Sequence, residues 1–276
     1  MRRRFQQVDV FTEVPTRGNP VAVVLDGEGL DDAAMQSFAA WTNLSETTFV
    51  LPATDPGADY RLRIWTPGGE LPFAGHPTLG SAHAWLAAGG TPQGPGLVQE
   101  CAVGLVPLRR DGGRLSFAAP PVEMSEPAAA ELEAVLVALG LTADQVVRSQ
   151  QLVNGPRWLT LQLADVGTVL ALEPDHTALQ HLPEVGVLAV YPAGVECAIE
   201  VRAFADAIGV PEDPVTGSLN AGIAQWLIGE GVLPAAYLAA QGTCIGRIGR
   251  AHLEQADGEV WVGGGTHTLI TGEVEL

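Results

Sequence analysis

Two short stretches carry the residues best suited to chemistry. His76-Pro77-Thr78-Leu79-Gly80-Ser81 runs into residues 82–86, and Asp213-Pro214-Val215-Thr216-Gly217-Ser218 runs into the apolar residues 219–227. His-Pro-x-x-Gly-Ser in the first half is thus answered by Asp-Pro-x-x-Gly-Ser in the second, and both continue to a Trp-Leu pair, Trp85-Leu86 and Trp226-Leu227. Each copy combines a polar side chain, a Pro that fixes φ, and small residues where a helix would start, followed by residues suited to a buried helix. A helix N-terminus presents unpaired N–H groups and the positive pole of the macrodipole, so two such ends facing one cleft would hold an anion. A small molecule bearing a carboxylate is the natural guest. Each stretch taken alone also reads as an ordinary capped core helix; the duplication, with His and Asp at equivalent points, favours a site built across a pseudo-twofold.

Glu46 is the third candidate. It lies in Asn43-Leu44-Ser45-Glu46-Thr47-Thr48-Phe49, at a junction of helix and strand among hydroxyl side chains. Such a carboxylate either accepts hydrogen bonds from its neighbours or projects from the rim of a buried strand as a general base. Gly18-Asn19-Pro20 reads as a turn that could also line a pocket. His83 follows His76 with no third ligand at metal spacing and no His-Glu-x-x-His pattern, so it reads as a helix-packing histidine. Gly242, Gly246 and Gly249 surround Arg247 in a loop that is either a tight turn or a ligand lining.

The elements that must position these residues follow from periodicity and punctuation. Strands are expected over residues 5–11, 21–25, 47–51 and 60–65, with a turn over 67–70. A helix capped by Asp31 or Asp32 carries Met35, Phe38, Ala39 and Thr42 and gives way near Asn43. The Gly- and Pro-rich residues 88–96 close the helix that begins near His76, and strands follow over 97–108 and 114–118. Pro120-Pro121 is the expected hinge. A helix over 126–141 puts Leu132, Val135, Leu136 and Leu139 on one side, after which 150–163, 166–172, 186–191 and 197–204 alternate with turns and short helices. Strands from Val260 through Leu276 end the chain. The order lacks regular βαβ repetition and Gly-x-Gly-x-x-Gly, which disfavours a dinucleotide-binding domain.

Composition bounds the function. At 276 residues and 47% hydrophobic content, about two domains with sizeable cores are expected. The balance of 14 basic against 32 acidic residues, a net charge of −18, argues against nucleic acid or an anionic membrane as partner. All the basic residues are Arg; without Lys there is neither a lysine Schiff base for pyridoxal-phosphate chemistry nor a Walker-type P-loop. Cys101, Cys197 and Cys244 are too few and too scattered for a disulfide framework or a structural zinc site, and a reducing cytoplasm is the default. Met1-Arg2-Arg3-Arg4 precedes an alternating stretch instead of an apolar one, so no signal peptide is read, and no run of 18 apolar residues could span a membrane.

Gly18-Asn19-Pro20, Asn43-Leu44-Ser45-Glu46-Thr47, Pro72-Phe73-Ala74-Gly75-His76-Pro77-Thr78 and Glu212-Asp213-Pro214-Val215-Thr216-Gly217-Ser218 occur in the order and spacing of the phenazine-biosynthesis PhzF-like family. The chain resembles that family over essentially its full length. The resemblance implies an α+β, diaminopimelate-epimerase-like fold of two pseudo-symmetric lobes, each a curved mixed β-sheet wrapped around a central helix. Residues 1–118 would form one lobe, with 266–276 returning to it, and 119–265 the other, with the site in the cleft and two copies pairing as a homodimer. It also implies a cofactor-independent isomerase that moves a carbon-bound proton within a small cyclic or dihydroaromatic amino or hydroxy carboxylic acid. Glu46 then matches the general acid/base, and His76 and Asp213 match residues that hold and polarise the substrate. Gly217 and Ser218 match its carboxylate site, with Gly75 and Asn19 beside the substrate. No cofactor or metal is called for, and the expected setting is cytoplasmic.

Two other readings stay in view. Relatives of the fold invert a carbon with two opposed Cys, but Ala74 and residues 211–212, nearest those points, carry no thiol. A non-catalytic small-molecule binder or interaction protein is the third reading, against which the intact Glu46, His76, Asp213 and Ser218 weigh. The chain departs from the family at Gly246-Arg247-Ile248-Gly249, where Pro is often third, leaving that loop's part in substrate choice open.

Overall fold

The computed structural model describes residues 1–276, and the chain divides into two compact units, Met1–Ala118 with Val262–Leu276, and Ala119–Trp261. In the first unit β1 (Arg2–Val10) starts earlier than its apolar alternation suggests. The three arginines are accommodated because Arg3 donates to the Asp26 and Glu28 carbonyls while Arg4 pairs with the Asp26 carboxylate at 2.7 Å. β1 pairs antiparallel with β2 (Asn19–Val24), and α1 (Asp32–Thr42) follows. Asp31 caps α1 by accepting from Ala34 N at 2.8 Å, and Asn43 ends it in the left-handed region at φ 54°. Met35, Phe38 and Ala39 bury in one cluster with Val24, Phe49 and Trp65. The abrupt stop at Asn43 delivers Glu46 to the head of β3 (Thr47–Leu51), which runs parallel to β2.

β4 (Tyr60–Thr66) pairs with β3 and turns into the short β5 (Gly69–Leu71). α2 (Gly75–Ala87) then enters the middle of the unit. It has no polar face: from Gly75 to Ala82 every residue is buried, as a helix enclosed by a sheet requires. Gly80 lets it approach β2 closely, since a Cβ there would lie 2.4 Å from Val21 Cγ1. The stretch read as one strand over 97–108 is two, β6 (Leu97–Cys101) and β7 (Gly104–Asp111), reversed at Gly104 with φ 103°, and β8 (Arg114–Ala118) continues the meander.

In the second unit β9 (Glu123–Ser125) precedes α3 (Ala129–Leu139), shorter than periodicity suggests. Pro127 restricts the residue before it, and Gly140 caps the other end at φ 66°. Residues 146–163 form two antiparallel strands, β10 (Val146–Val153) and β11 (Arg157–Leu163), because Gly155 turns the chain at φ 116°. α4 (Val166–Leu170) and α5 (His176–Leu179) join α3 over an apolar face of Leu161, Val185, Val187 and Phe204. β12 (Glu184–Val190) is parallel to β11 and antiparallel to β13 (Ile199–Phe204). α6 (Gly217–Gly229) is the buried counterpart of α2, followed by β14 (Ala236–Gln241), parallel to β13, and β15 (Gly249–Ala256). Asp257 and Gly258, both at positive φ, turn the chain into β16 (Glu259–Gly264).

β17 (Thr266–Glu275) belongs to the first unit, lying antiparallel to β1 from Arg2 opposite Glu275 to Val10 opposite Thr266. His83 ties α2 to it: its Nδ1 is 2.9 Å from Thr266 Oγ1 and its Nε2 3.0 Å from Thr268 Oγ1, whose hydroxyl donates to Gln6. The architecture is α+β, two lobes that each wrap a sheet around one helix. No helix is long and apolar enough to cross a membrane.

Candidate active site

Two constellations emerge, one in each unit. In the first, Glu46 leaves the head of β3 and His76 occupies the first turn of α2; His76 Nε2 lies 3.2 Å from Glu46 Oε2. His76 is buried and Glu46 half-buried, with side chains 6% and 15% exposed, so a charged imidazole here would lose most of its hydration. Burial pushes the His76 imidazole down to about 3, only partly opposed by its hydrogen bond to the Pro20 backbone, where Pro offers nothing but a carbonyl. His76 is therefore neutral at ordinary pH, and its contact with Glu46 is a close approach of a carboxyl group to an uncharged imidazole, not an ion pair. Asn19, fully buried, opens β2 opposite Val10 and precedes the Pro20 that holds His76. Gly75 is the first residue of α2; its N-cap is Ala74, with no side chain to cap the helix.

In the second unit Asp213, Gly217 and Ser218 gather where α6 begins. Thr216, the N-cap, does not cap: its hydroxyl donates to Asp213 Oδ2 at 2.5 Å. Neither buried helix is thus capped by the side chain of its own N-cap residue. Ser218 Oγ accepts from the Trp158 indole at 3.1 Å and the Ser218 carbonyl accepts from Asn154 Nδ2 at 2.8 Å. With its oxygen already accepting, the Ser218 hydroxyl proton is directed elsewhere. The Gly242–Gly249 loop lies directly against this stretch: a Cβ at Gly249 would stand 2.3 Å from Val215 Cγ2 and 2.6 Å from the Gln241 carbonyl.

None of the three thiols belongs to either helix-start motif. Cys101 ends β6, Cys197 precedes β13, and Cys244 follows β14 with its Sγ 3.5 Å from the Leu170 carbonyl. Burial pushes all three thiols up, away from the thiolate that would act as a base.

The motif residues thus fall into two local groups, Asn19, Glu46, Gly75 and His76 in one unit and Asp213, Gly217 and Ser218 in the other. Sequence reasoning missed the partners that hold them: the Pro20 carbonyl, Asn154, Trp158, Thr216 and Gln241. Pro20 and Thr216 carried a signal, as motif residues read for a turn and for a helix start. Trp158 and Gln241 sit on strands, and their reach depends on register that a single strand's pattern does not specify.

The profile of the PhzC-PhzF family, described as phenazine biosynthesis-like protein, matches residues 8–272. The chain is 37% identical over 289 residues to antisense-enhancing sequence 1 of Schizosaccharomyces pombe, covering 98% of this chain and 97% of that protein. It is 40% identical over 223 residues to trans-2,3-dihydro-3-hydroxyanthranilate isomerase of Pseudomonas aeruginosa, covering 78% and 76%. Among solved structures, a predicted epimerase from Pseudomonas aeruginosa superposes with a TM-score of 0.82 at 30% identity over 99% of each chain. The chain belongs to the phenazine biosynthesis-like PhzC-PhzF family and is an isomerase of that family.

Proposed function

We propose that this protein is a cofactor-independent isomerase that moves a carbon-bound proton within a small cyclic or dihydroaromatic amino or hydroxy carboxylic acid, with Glu46 as general acid/base. The observation that carries the reading is the 3.2 Å approach of Glu46 to a buried, neutral His76. In the forward step the Glu46 carboxylate takes a proton from a ring carbon, the C–H electron pair moves into the adjacent unsaturation, and Glu46 returns the same proton to another carbon on that face. A positioned base of this kind contributes about 10² to 10⁴ in rate. His76, uncharged, hydrogen-bonds the substrate's polar group without fixing a positive charge beside it, and Asp213 holds an amino or ring N–H. Gly217 and Ser218 take the carboxylate, supported by the start of α6, which the Thr216 hydroxyl leaves uncapped, and by the Trp158 indole that leaves the Ser218 hydroxyl to donate. Gly75 and Asn19 complete the substrate's surroundings, and two copies form a homodimer in the cytoplasm.

The test uses trans-2,3-dihydro-3-hydroxyanthranilate and a panel of cyclic amino and hydroxy acids in heavy water, read by NMR for carbon-bound deuterium and for double-bond position. Isomerisation, with deuterium entering where Glu46 exchanges its proton with solvent, is expected. Binding with neither isomerisation nor exchange would make the protein a small-molecule binder; inversion of optical rotation blocked by a thiol reagent would make it a two-thiol epimerase. The raised thiols and the absence of Cys at Ala74 and residues 211–212 speak against the latter.

A further inference from the structure

The strand that follows each buried helix ends or centres on a glutamine that reaches back to that helix's start. Gln241, the last residue of β14 and almost fully buried, accepts at Oε1 from Thr216 N at 3.0 Å and from Asn220 Nδ2 at 2.8 Å. A backbone N–H can only donate, so this end of the amide must be the oxygen. Asn220 is oriented in turn, because its Nδ2 also donates to the Thr216 carbonyl at 2.9 Å. The other end of Gln241 is then the donor, and Nε2 spends its hydrogens on the Asp213 carbonyl at 3.0 Å and on Thr216 Oγ1 at 2.9 Å. Thr216 has one hydroxyl proton. With a lone pair receiving from Gln241, that proton goes to Asp213 Oδ2 at 2.5 Å. Reading outward from one backbone N–H, every polarity in the chain is set, and it ends by requiring Asp213 Oδ2 to be an acceptor.

The first unit has a looser counterpart, at the fourth residue of its helix and not at the N-cap. Gln99, on β6 and fully buried, donates from Nε2 to Thr78 Oγ1 at 3.0 Å, two residues beyond His76, while its Oε1 accepts from the Tyr60 hydroxyl at 3.1 Å. Burial pushes the Tyr60 phenol well up, which keeps it a donor. Gln99 lies 21 residues after its Thr and Gln241 25 after its own.

We propose that Gln241 is a positioning residue: through Thr216 it holds Asp213 in one orientation, with Oδ2 committed as acceptor and the carboxylate form favoured. The proposal rests on the role given to Asp213 above, and its test separates the two. Four variants are compared with wild type: Thr216→Val, which removes one hydroxyl at constant shape, Thr216→Ser, which restores it, Gln241→Met and Asp213→Asn. Asp213 is followed by ¹³C carboxyl NMR titration, which needs no turnover, and isomerisation of trans-2,3-dihydro-3-hydroxyanthranilate is followed against pH. Loss of a hydrogen bond to a carboxylate eases its protonation, so the Asp213 midpoint should rise by about one pH unit in Thr216→Val and Gln241→Met and return in Thr216→Ser. In step with it, kcat should fall about 10- to 100-fold with a smaller change in KM. An unmoved Asp213 midpoint, or a lowered melting temperature with kcat and pH profile intact, overturns the positioning role even if Asp213→Asn is inactive. A fully active Asp213→Asn overturns the role of Asp213 and that of Gln241 together.

Discussion

Glu46 Oε2 and His76 Nε2 are 3.2 Å apart although the residues come from different elements, the head of a strand and the first turn of a helix. The approach depends on α1 stopping at Asn43 and on α2 starting without a side-chain cap, so both backbones are at their ends where the side chains meet. The contact sets a carboxyl group beside an imidazole that burial keeps uncharged.

Replacing Glu46 by Gln keeps the shape and removes the base. Turnover of trans-2,3-dihydro-3-hydroxyanthranilate should fall by about 10² or more while binding persists. Single-turnover kinetics alongside calorimetric titration would check this; a variant with wild-type kcat would take Glu46 out of the mechanism.

The buried His76 should make the fold sensitive to acid. Its pKa is about 3 in the folded protein and 6.5 when exposed, so between those values the unfolded chain binds more protons and stability rises with pH. The contribution is fully present above 6.5 and is lost as pH falls toward 3, with a limiting slope of about 1.4 kcal/mol per pH unit. Urea midpoints from pH 4 to 7 for the wild type and His76→Gln should diverge accordingly, the wild type falling more steeply. Parallel curves would mean that His76 is charged in the fold.

Ser218→Ala should weaken binding of a carboxylate-bearing ligand about 10- to 100-fold, the worth of a hydrogen bond to a charged group. The amide analogue of the same ligand should be affected much less. Trp158→Phe should reproduce part of the loss by freeing the Ser218 hydroxyl to turn. Equal affinities of the wild type for acid and amide would remove the anion site at α6.

Gly249→Ala places a methyl group against Val215 and the Gln241 carbonyl. Overpacking of this kind costs about 1–3 kcal/mol, and because the displaced backbone carries the Asp213 motif, activity should drop along with the melting temperature. Destabilisation without any change in kcat or KM would mean that the loop supports the fold alone.

Much of this architecture could be read from the chain. The paired His-Pro-x-x-Gly-Ser and Asp-Pro-x-x-Gly-Ser stretches do begin two buried helices, Asp31 and Asn43 do bound α1, and Glu46 does sit at the head of a strand. Hairpins were the weak point: residues 97–108 and 150–163 each read as one extended stretch, although Gly104 in the first and Asn154-Gly155-Pro156 in the second reverse the chain. The supporting contacts were hidden for a different reason. Trp158 meets Ser218, and Gln241 meets Thr216, across 60 and 25 positions of sequence, so neither pairing exists until the strands are in register.

The pairing of β1 with β17 bears on how the protein is made. β2 can find β1 soon after it is made, but the ladder on the other side of β1 cannot form until residues 266–275 have left the ribosome. Long-range pairing of this kind is slow, and it leaves an open sheet edge on the nascent chain while the second unit, contiguous in sequence, is already free to fold. Biogenesis therefore runs out of numerical order: the lobe that carries Glu46 and His76 is begun before the other unit and completed after it.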